Sequence, residues 1–330
     1  MTSMARAAMF RFQRWRRQQR LIARDPLALE PRVDPHAPEL GFSHVYVADD
    51  GETARWLTSA AYADEAAKQD PIDVCHLAID RFHTSLETGD RVARDQFLAI
   101  ARGLLDAGRT VTLDGRRCFV MPHFDQVEGY APHATPWVNA MVQGWTGGVF
   151  MRVHQLTGDP RYRDAAVDAV GPYFVAVERG GVRDIERNGR PFYEKYALPG
   201  QTRHVLNGFM SSLLSLWDIS RASGDEDAHR AFEEGVATLD DTVLGTYDTG
   251  HTSLYDQQPD RIVTPACVFY TWVHARQLAS LARITGQQRL AGWAASWRRY
   301  MDDAGHRAIT TLECLGYRLS KYFAKVSRRP

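Results

Sequence analysis

The sequence has 330 residues, of which 44% are hydrophobic and 24% charged, a composition typical of folded globular proteins and unlike that of disordered or membrane-spanning ones. Lys and Arg together number 40, as do Asp and Glu, so the net charge points to no nucleic-acid partner, and any basic groove for an acidic substrate must be local. The four cysteines are scattered without zinc-ligand spacing, which predicts no disulfide framework and favours a reducing, cytoplasmic compartment.

The first 24 residues contain seven arginines and no acidic residue, interleaved with Phe, Trp, Leu and Ile. They have no continuous apolar stretch of the kind that a secretory signal needs. Two interpretations stay open: a basic amphipathic segment that contacts an anionic membrane surface or a polyanion, and a solvated tail or docked helix. Residues 25–70 carry several Pro and Asp and one strand-like stretch, 42–47, which predicts a small flanking segment.

A short turn motif of Thr or Ser, then Gly, then Asp or Gln recurs around Gly89, Gly158, Gly224 and Gly286, at spacings of 69, 66 and 62 residues. Glycine suits the left-handed position that ends a helix, and Asp caps the start of the next one. Apolar residues at helical spacing flank each turn, before it at 74–86, 138–156, 205–222 and 269–284, and after it at 91–105, 160–177, 226–239 and 289–301.

Four helical hairpins in series predict an all-α-dominated fold, an incomplete α/α toroid over residues 71–305 with a helical extension at 306–330. An open superhelical solenoid is the alternative. The stretches between hairpins, 108–136, 179–204 and 245–268, are predicted to hold short β hairpins, one of them turning at Asp114-Gly115. Because a rigid scaffold positions its loops, we expect binding and catalytic groups there.

The sequence lacks a Gly-rich phosphate loop, HExxH, GxSxG and a Cys/His/Asp metal motif, so it predicts neither a cofactor nor a metal. It does contain an ordered series of motifs: WVNAMVQG (137–144), LTGD (156–159), GGV (180–182), YEKY (193–196), VLNGF (205–209), YDTG (247–250), SLYD (253–256), and Tyr270 with His274. In these motifs the C-terminal two thirds of the chain resemble the catalytic domain of D-glucuronyl C5-epimerases.

The resemblance implies conversion of D-glucuronate to L-iduronate units in an acidic, heparosan-like polysaccharide, without a cofactor. Motif by motif, it assigns the proton-carrying tyrosines to Tyr196, Tyr255 and Tyr270, with Glu194 beside the first. The substrate-binding residues that it implies are Lys195, Asn207, Gln143, Trp137, Arg261 and His274. Asn207 is expected to line the site because Gly208 permits close approach of a ligand. Two interpretations of Trp137 stay open: its ring stacks on a sugar, or it packs in the core.

The implied chemistry is proton removal from a carbon next to a carboxylate, followed by return of a proton to the opposite ring face. It needs a base, an acid and a positive group that stabilises the charge developing on the carboxyl oxygens. Two departures from the family pattern concern this last group. Lys195 stands where the family commonly has Glu, and Gln258 stands where it has Arg, so Arg261 or another cation is expected to replace that arginine.

Other functions fit the same architecture. A uronide lyase shares the proton abstraction but eliminates at C4, and an inverting glycosidase needs two carboxylates across the scissile bond. The departures also fit a catalytically silent polysaccharide-binding protein. A homodimer and peripheral membrane contact through residues 1–24 are compatible with the sequence.

Overall fold

The computed structural model describes residues 71–127, 129–257 and 264–326, so the predictions for residues 1–24 and 25–70 lie outside the described part of the chain. The chain divides into two compact units between Val243 and Leu244, called here the N-terminal and C-terminal units. Within the described residues, helices dominate and strands occur only in short antiparallel pairs, which confirms the helix-dominated fold class.

Three helical hairpins form the N-terminal unit, each made of two consecutive helices in contact. Their helices are α1 (Pro71–Thr88), α2 (Arg91–Ala107), α3 (Ala140–Thr157), α4 (Pro160–Asp168), α5 (Leu206–Ser223) and α6 (Glu226–Thr238). Helix α3 packs against α1 and against α5, so the first helices of successive hairpins are neighbours. This tandem packing of hairpins is the arrangement of an incomplete α/α toroid, as the repeated turns predicted.

The turns between paired helices have the predicted geometry. Gly89, Gly158 and Gly224 adopt left-handed backbone angles, with φ of 69°, 73° and 72°. The Asp that follows each one accepts a hydrogen bond from a backbone N–H in the first turn of the next helix. A carboxylate at this position satisfies an amide that would otherwise lack a partner, so the repeated motif specifies where one helix ends and the next begins.

Helix α4 is shorter than its sequence pattern predicted, since it ends at Asp168 instead of continuing to residue 177. Residues Gly171–Phe174 form a 3₁₀ turn that contains Pro172, which has no N–H to donate to a helical ladder. A side-chain carbon on Gly171 would lie 2.6 Å from Cys118 Sγ, so glycine is needed for the approach of β2. The chain therefore leaves the helix where it must pack against a β hairpin.

Three strand pairs lie between the hairpins of the N-terminal unit, and their strands are β1 (Arg109–Leu113), β2 (Arg116–Val120), β3 (Pro122–His123), β4 (Trp137–Val138), β5 (Arg183–Ile185) and β6 (Pro191–Tyr193). All three pairs are antiparallel, β1 with β2, β3 with β4 and β5 with β6. The β1–β2 hairpin turns at Asp114 and Gly115, both with positive φ, as predicted. The short β hairpins expected in the inter-repeat stretches are thus present.

The core of the N-terminal unit lies along α3 and α5, which are buried over most of their length. Glycines allow the two helices to approach closely, because a side-chain carbon on Gly144 would lie 2.7 Å from Ser215 Cβ. One ion pair crosses this interface: Arg152 and Asp218, both fully buried, lie 3.5 Å apart. Burial lowers the pKa of Arg152 to about 10, although the charge of Asp218 opposes that change.

The C-terminal unit contains one further hairpin, α8 (Val268–Thr285) with α9 (Gln288–Asp302), followed by α10 (Ala304–Val326). A short antiparallel pair, β7 (Leu254–Asp256) with β8 (Thr264–Pro265), precedes it, and α7 (Asp241–Thr246) spans the division between the units. Gly286, with φ of 69°, makes the fourth repeated turn. No helix in the described ranges combines the length and apolar character needed to span a bilayer.

Candidate functional site

Aromatic rings surround Tyr196 in the N-terminal unit. Its half-buried ring lies 5.3 Å from the ring of Tyr130 and 5.8 Å from that of Trp137, measured between centroids. Trp137 is packed: its ring stacks on His123 at 4.3 Å, and its indole N–H donates to the backbone oxygen of Asp125. The wall of Trp137 and Tyr130 therefore holds the phenol of Tyr196 in place, and Trp137 has little surface left for a sugar.

Two positive side chains lie next to this aromatic cluster. The Lys195 ammonium is 5.3 Å from the centre of the Tyr196 ring, and the Arg203 guanidinium is 3.4 Å from the centre of the Tyr130 ring. Arg203 also donates to the backbone oxygen of Gly129. Cations over aromatic faces are attracted by the ring electrons, which keeps both positive charges next to the aromatic cluster. Arg203 was not among the residues that the sequence indicated.

Gly208 explains how Lys195 reaches this position. A side-chain carbon on Gly208 would lie 2.7 Å from Lys195 Cβ, so the space beside this glycine is filled by the lysine stem. The sequence had predicted that Gly208 makes room for a ligand next to Asn207. The structure corrects this, because the close neighbour is Lys195. Asn207 itself, in the first turn of α5, is 7% exposed.

Gln143 lies inside α3 and is fully buried. Its amide oxygen accepts a hydrogen bond from Met121 N–H at 2.8 Å, and its amide nitrogen donates to the backbone oxygens of Phe119 and Ala169. These bonds tie α3 to the end of β2 and to the end of α4. Its polar groups are thus engaged with the backbone, and the predicted contact with substrate gives way to a structural one.

Glu194 is also fully buried, and its carboxylate accepts the backbone N–H groups of His204, at 3.0 Å, and of Arg203, at 3.4 Å. Burial raises the pKa of Glu194 to about 7, although the positive charge of His204 lowers it. The carboxylate therefore holds the backbone at the end of the loop that runs from Tyr196 to His204. The resemblance implies a catalytic role for Glu194, which stays a prediction, while the structure shows its carboxylate bonded to the backbone of this loop.

His204 connects Glu194 to two more carboxylates. Its Nδ1 lies 2.7 Å from Glu186 Oε2, and its Nε2 lies 2.9 Å from Asp184 Oδ2 and 3.5 Å from Glu194 Oε1. Burial lowers the pKa of His204, but the hydrogen bonds to Asp184 and Glu186 outweigh burial and raise it to about 10. No motif in the sequence indicated a role for His204 or the presence of this cluster.

One sequence signal could have found the two acids. Asp184 and Glu186 are two residues apart at the end of β5, just before the Asn188-Gly189 turn, and alternate residues of a strand point to the same face. His204 has no such signal. It lies 18 residues beyond Glu186 in a loop, with a positive φ of 49° that no local motif predicts.

Tyr255 and Tyr270 lie together in the C-terminal unit. Tyr255 is in β7 and Tyr270 in the first turn of α8, and their half-buried rings meet edge to face with centroids 4.8 Å apart. Two tyrosines that the sequence separates by 15 residues are therefore neighbours. Tyr196 belongs to the N-terminal unit.

His274 follows Tyr270 by one helical turn and is fully buried. Its Nδ1 lies 2.8 Å from Ser253 Oγ, and its ring lies 5.9 Å from that of Trp297. Burial alone lowers the pKa of His274 to about 3, so the imidazole is neutral at pH 7. This neutral ring bonds Ser253, the residue just before β7, and so links the start of that strand to α8. Arg261 lies outside the described residues.

A cavity of about 370 Å³ opens between α8 and α9, lined mainly by alanines with Arg283 at one side. It begins at Ala279, nine residues beyond Tyr270, which is about 14 Å along a helix that rises about 1.5 Å per residue. The cavity is therefore remote from the tyrosine pair and holds no acid or base other than the arginine.

Known proteins resemble this chain over the same region. The family model of the D-glucuronyl C5-epimerase C-terminus matches residues 117–299. A D-glucuronyl C5-epimerase of Caenorhabditis elegans is 31% identical over 180 residues, which are 50% of this chain and 29% of that protein. An uncharacterized protein of Methanocaldococcus jannaschii is 28% identical over 165 residues, 49% of this chain and 52% of that protein. The matches thus span about half or less of the relatives' lengths.

Among solved structures, a glycoside hydrolase family 76 α-mannanase of Bacteroides thetaiotaomicron is 12% identical, with a TM-score of 0.44, covering 68% of this chain and 55% of that one. The family match includes more than half of the chain and contains Tyr196, Tyr255 and Tyr270. The chain therefore belongs to the D-glucuronyl C5-epimerase family, which it matches through the C-terminal region of those proteins.

Proposed function

We propose that this chain is an isomerase that inverts C5 of D-glucuronate units in an acidic, heparosan-like polysaccharide. Family membership supports the reaction type. The observation that carries the proposal is the half-buried phenol of Tyr196 with the Lys195 ammonium beside its ring. This pairing puts a group able to exchange a proton next to a positive charge, and abstraction of the C5 proton needs both.

The proposed reaction proceeds in two proton transfers. A tyrosine in its phenolate form takes the C5 proton, and the electron pair of the C–H bond moves onto the carboxyl group of the uronate. Lys195 stabilises the additional negative charge there, with Arg203 as a further cation. A second, protonated tyrosine then gives a proton to C5 from the opposite face, and the electron pair returns to carbon. No bond to a neighbouring sugar is broken.

Tyr196 is the proposed proton carrier in the N-terminal unit, and the resemblance proposes Tyr255 and Tyr270 as the other candidate proton carriers. His274 is a positioning residue in this scheme, since it is fully buried and touches Ser253. Glu194 acts in the same indirect way, because its carboxylate holds the backbone of the loop that begins at Tyr196. Trp137 supports the Tyr196 ring from the side.

The test is solvent deuterium exchange into heparosan, followed by NMR. The wild-type protein is expected to incorporate deuterium at C5 and to produce iduronate signals. Tyr196→Phe removes a hydroxyl and keeps the ring packed against Trp137 and Tyr130, so we expect exchange to fall by about 10²–10⁴-fold while the protein stays folded. Tyr300→Phe is the matched control, because it loses a hydroxyl bonded to Asp248 and should exchange normally.

Each alternative outcome has its own signature. Unsaturated, ultraviolet-absorbing ends would mean that the proton abstraction leads to elimination and the chain is a lyase. New reducing ends would mean hydrolysis. Binding of heparosan without exchange would favour the silent polysaccharide-binding protein. Normal exchange by Tyr196→Phe would exclude Tyr196 as a proton carrier.

A further inference from the structure

Asp184, Glu186, Glu194 and His204 form a compact ionisable cluster in the N-terminal unit, named here the His204 cluster. One ligand atom each from Asp184, Glu194 and His204 lies within 4.8 Å of the other two. The side chains are sheltered, with exposures of 27% for Asp184, 15% for His204 and 0% for Glu194. The cluster joins β5, the end of β6 and the residue two before α5, so the fold itself assembles it.

The spacing within the cluster matches a small coordination sphere. Ligands of a tetrahedral ion with bonds of about 2.0–2.1 Å are separated by about 3.3 Å. His204 Nε2 lies 2.9 Å from the Asp184 oxygen and 3.5 Å from the Glu194 oxygen, on either side of that value. A small ion would therefore find three ligand atoms on one side of it without a large movement of the backbone.

Glu186 gives His204 the orientation that a metal ligand needs. Its oxygen lies 2.7 Å from His204 Nδ1, and its other oxygen accepts the backbone N–H of Arg187. A histidine that donates its Nδ1–H to a carboxylate presents Nε2 as the coordinating atom, an arrangement common behind metal-bound histidines. Here Nε2 is the nitrogen that faces Asp184 and Glu194.

The charges in the cluster are not balanced. Asp184, Glu186 and Glu194 are three carboxylates, and across the described ranges their ion pairs are all with His204. One imidazolium neutralises one of three negative charges. Glu186 and Glu194 are buried, so carboxylate charge left there without a counter-charge is costly. A divalent cation in place of the Nε2 proton would remove most of this imbalance.

We propose that Asp184, Glu194 and His204 bind a divalent transition-metal ion, with Glu186 holding the His204 ring. One imidazole nitrogen with two carboxylates suits Zn²⁺ better than Ca²⁺ or Mg²⁺, which prefer oxygen ligands alone. When the ion binds, Nε2 of His204 releases its proton to solvent and its lone pair forms the bond to the metal. The ion bridges Asp184 of β5, Glu194 after β6 and His204, and so fixes the loop between Glu194 and His204.

The experiment is titration of the tag-free, chelator-stripped full chain with ZnCl₂ by calorimetry near neutral pH. We expect saturable binding of one Zn²⁺ per chain and a higher melting temperature in the presence of Zn²⁺. CaCl₂ should not reproduce either effect. These readouts need no substrate, so they stay informative even if the chain proves not to be an epimerase.

Variants assign the site. His204→Gln and, as a second route should that variant not fold, Asp184→Asn are each expected to remove one bound Zn²⁺ per chain. Glu186→Gln should weaken binding by about 10–100-fold, as loss of a carboxylate behind a ligating histidine does. His251→Gln is the matched control, because His251 also pairs with a carboxylate, that of Glu313, at 2.8 Å. Cys267 and Cys314 remain in every variant, so any zinc on thiols is common to all.

Two results would overturn the proposal. One is a wild-type chain that takes up no Zn²⁺ and does not change its melting temperature. The other is uptake by a folded His204→Gln or Asp184→Asn variant that equals that of the wild type. Either result would leave His204 as an imidazolium held between carboxylates.

Discussion

At the scale of single residues, Lys195 is the side chain whose environment says most about the proposed reaction. Its stem fills the space next to Gly208, and its ammonium lies over the edge of the aromatic cluster at Tyr196. Only 5% of the residue is exposed. A sheltered ammonium interacts more strongly with a developing negative charge than a solvated one does, because the local dielectric constant is lower.

Lys195→Met tests this charge. Methionine keeps most of the stem that packs against Gly208 and removes the ammonium. We expect kcat/KM on heparosan to fall by about 10²–10³-fold, the usual cost of losing a group that stabilises a developing oxyanion. Arg109→Met is the control, since Arg109 lies over the exposed ring of Phe124 at 5.7 Å. A Lys195→Met enzyme within a few-fold of wild type would remove Lys195 from the mechanism.

Residues also show where sequence patterns stop being informative. The resemblance assigned Tyr255 and Tyr270 to one site, and their rings lie 4.8 Å apart. Gln143 stands in an equally clear motif, yet its amide is bonded to three backbone groups. A motif shows that a residue is required but not for what purpose. A polar side chain in a motif can bond buried backbone groups as well as contact a ligand.

At the scale of secondary-structure elements, the hairpins could be predicted because their signals are local. A glycine with positive φ and a capping Asp act within a few residues, so neighbouring residues in the sequence specify each turn. The end of α4 could not be placed from helical periodicity alone. It depends on the contact of Gly171 with Cys118 of β2, which lies 53 positions earlier in the chain.

The α3–α5 interface depends on the buried Arg152–Asp218 pair, and Asp218→Ala should expose that dependence. Removal of the carboxylate leaves the Arg152 guanidinium without its counter-charge in the core, which typically costs about 3–5 kcal/mol of the free energy of unfolding. Urea denaturation followed by circular dichroism measures the loss. Replacing both partners together, as Arg152→Met with Asp218→Leu, should cost less, because no buried charge remains.

Asp302→Ala is the control for this prediction. Asp302 pairs with Arg298 one turn away on α9, where 62% of the acid's side chain is exposed. Exposed pairs of this kind contribute about 0–1 kcal/mol. Equal losses from Asp218→Ala and Asp302→Ala would mean that the buried pair has no special importance for the interface.

At the scale of the whole molecule, the repeat pattern predicted one continuous toroid over residues 71–305, while the chain divides into two units near Val243. The boundaries of that toroid remain a prediction. Repetition specifies what each hairpin looks like, and each hairpin was found where it was expected. How firmly one group of hairpins is joined to the next depends on side chains distributed over many loops, and no periodic signal records it.

The free energy of unfolding should depend on pH, and His274 in the C-terminal unit should make a measurable contribution to that dependence. Burial lowers the pKa of His274 to about 3, whereas an unfolded chain leaves histidine near its usual 6.5. Between these values the unfolded chain binds a proton that the folded chain does not. The free energy of unfolding should therefore decrease as the pH falls below 6.5, by about 1.4 kcal/mol per pH unit from this residue.

His274→Asn isolates that contribution. Asparagine cannot take up the proton, and its amide can still reach Ser253, which now bonds Nδ1 at 2.8 Å. The comparison is the change in unfolding free energy between pH 7.5 and pH 5, from urea denaturation of each protein. We expect the wild type to lose about 2 kcal/mol more over this range than the variant, whatever the other carboxylates and histidines add to both. His229→Asn, at an exposed position of α6, should behave as the wild type does. Equal changes in wild type and His274→Asn would show that His274 takes up its proton without unfolding, and the imidazole would then not be held neutral in the folded protein.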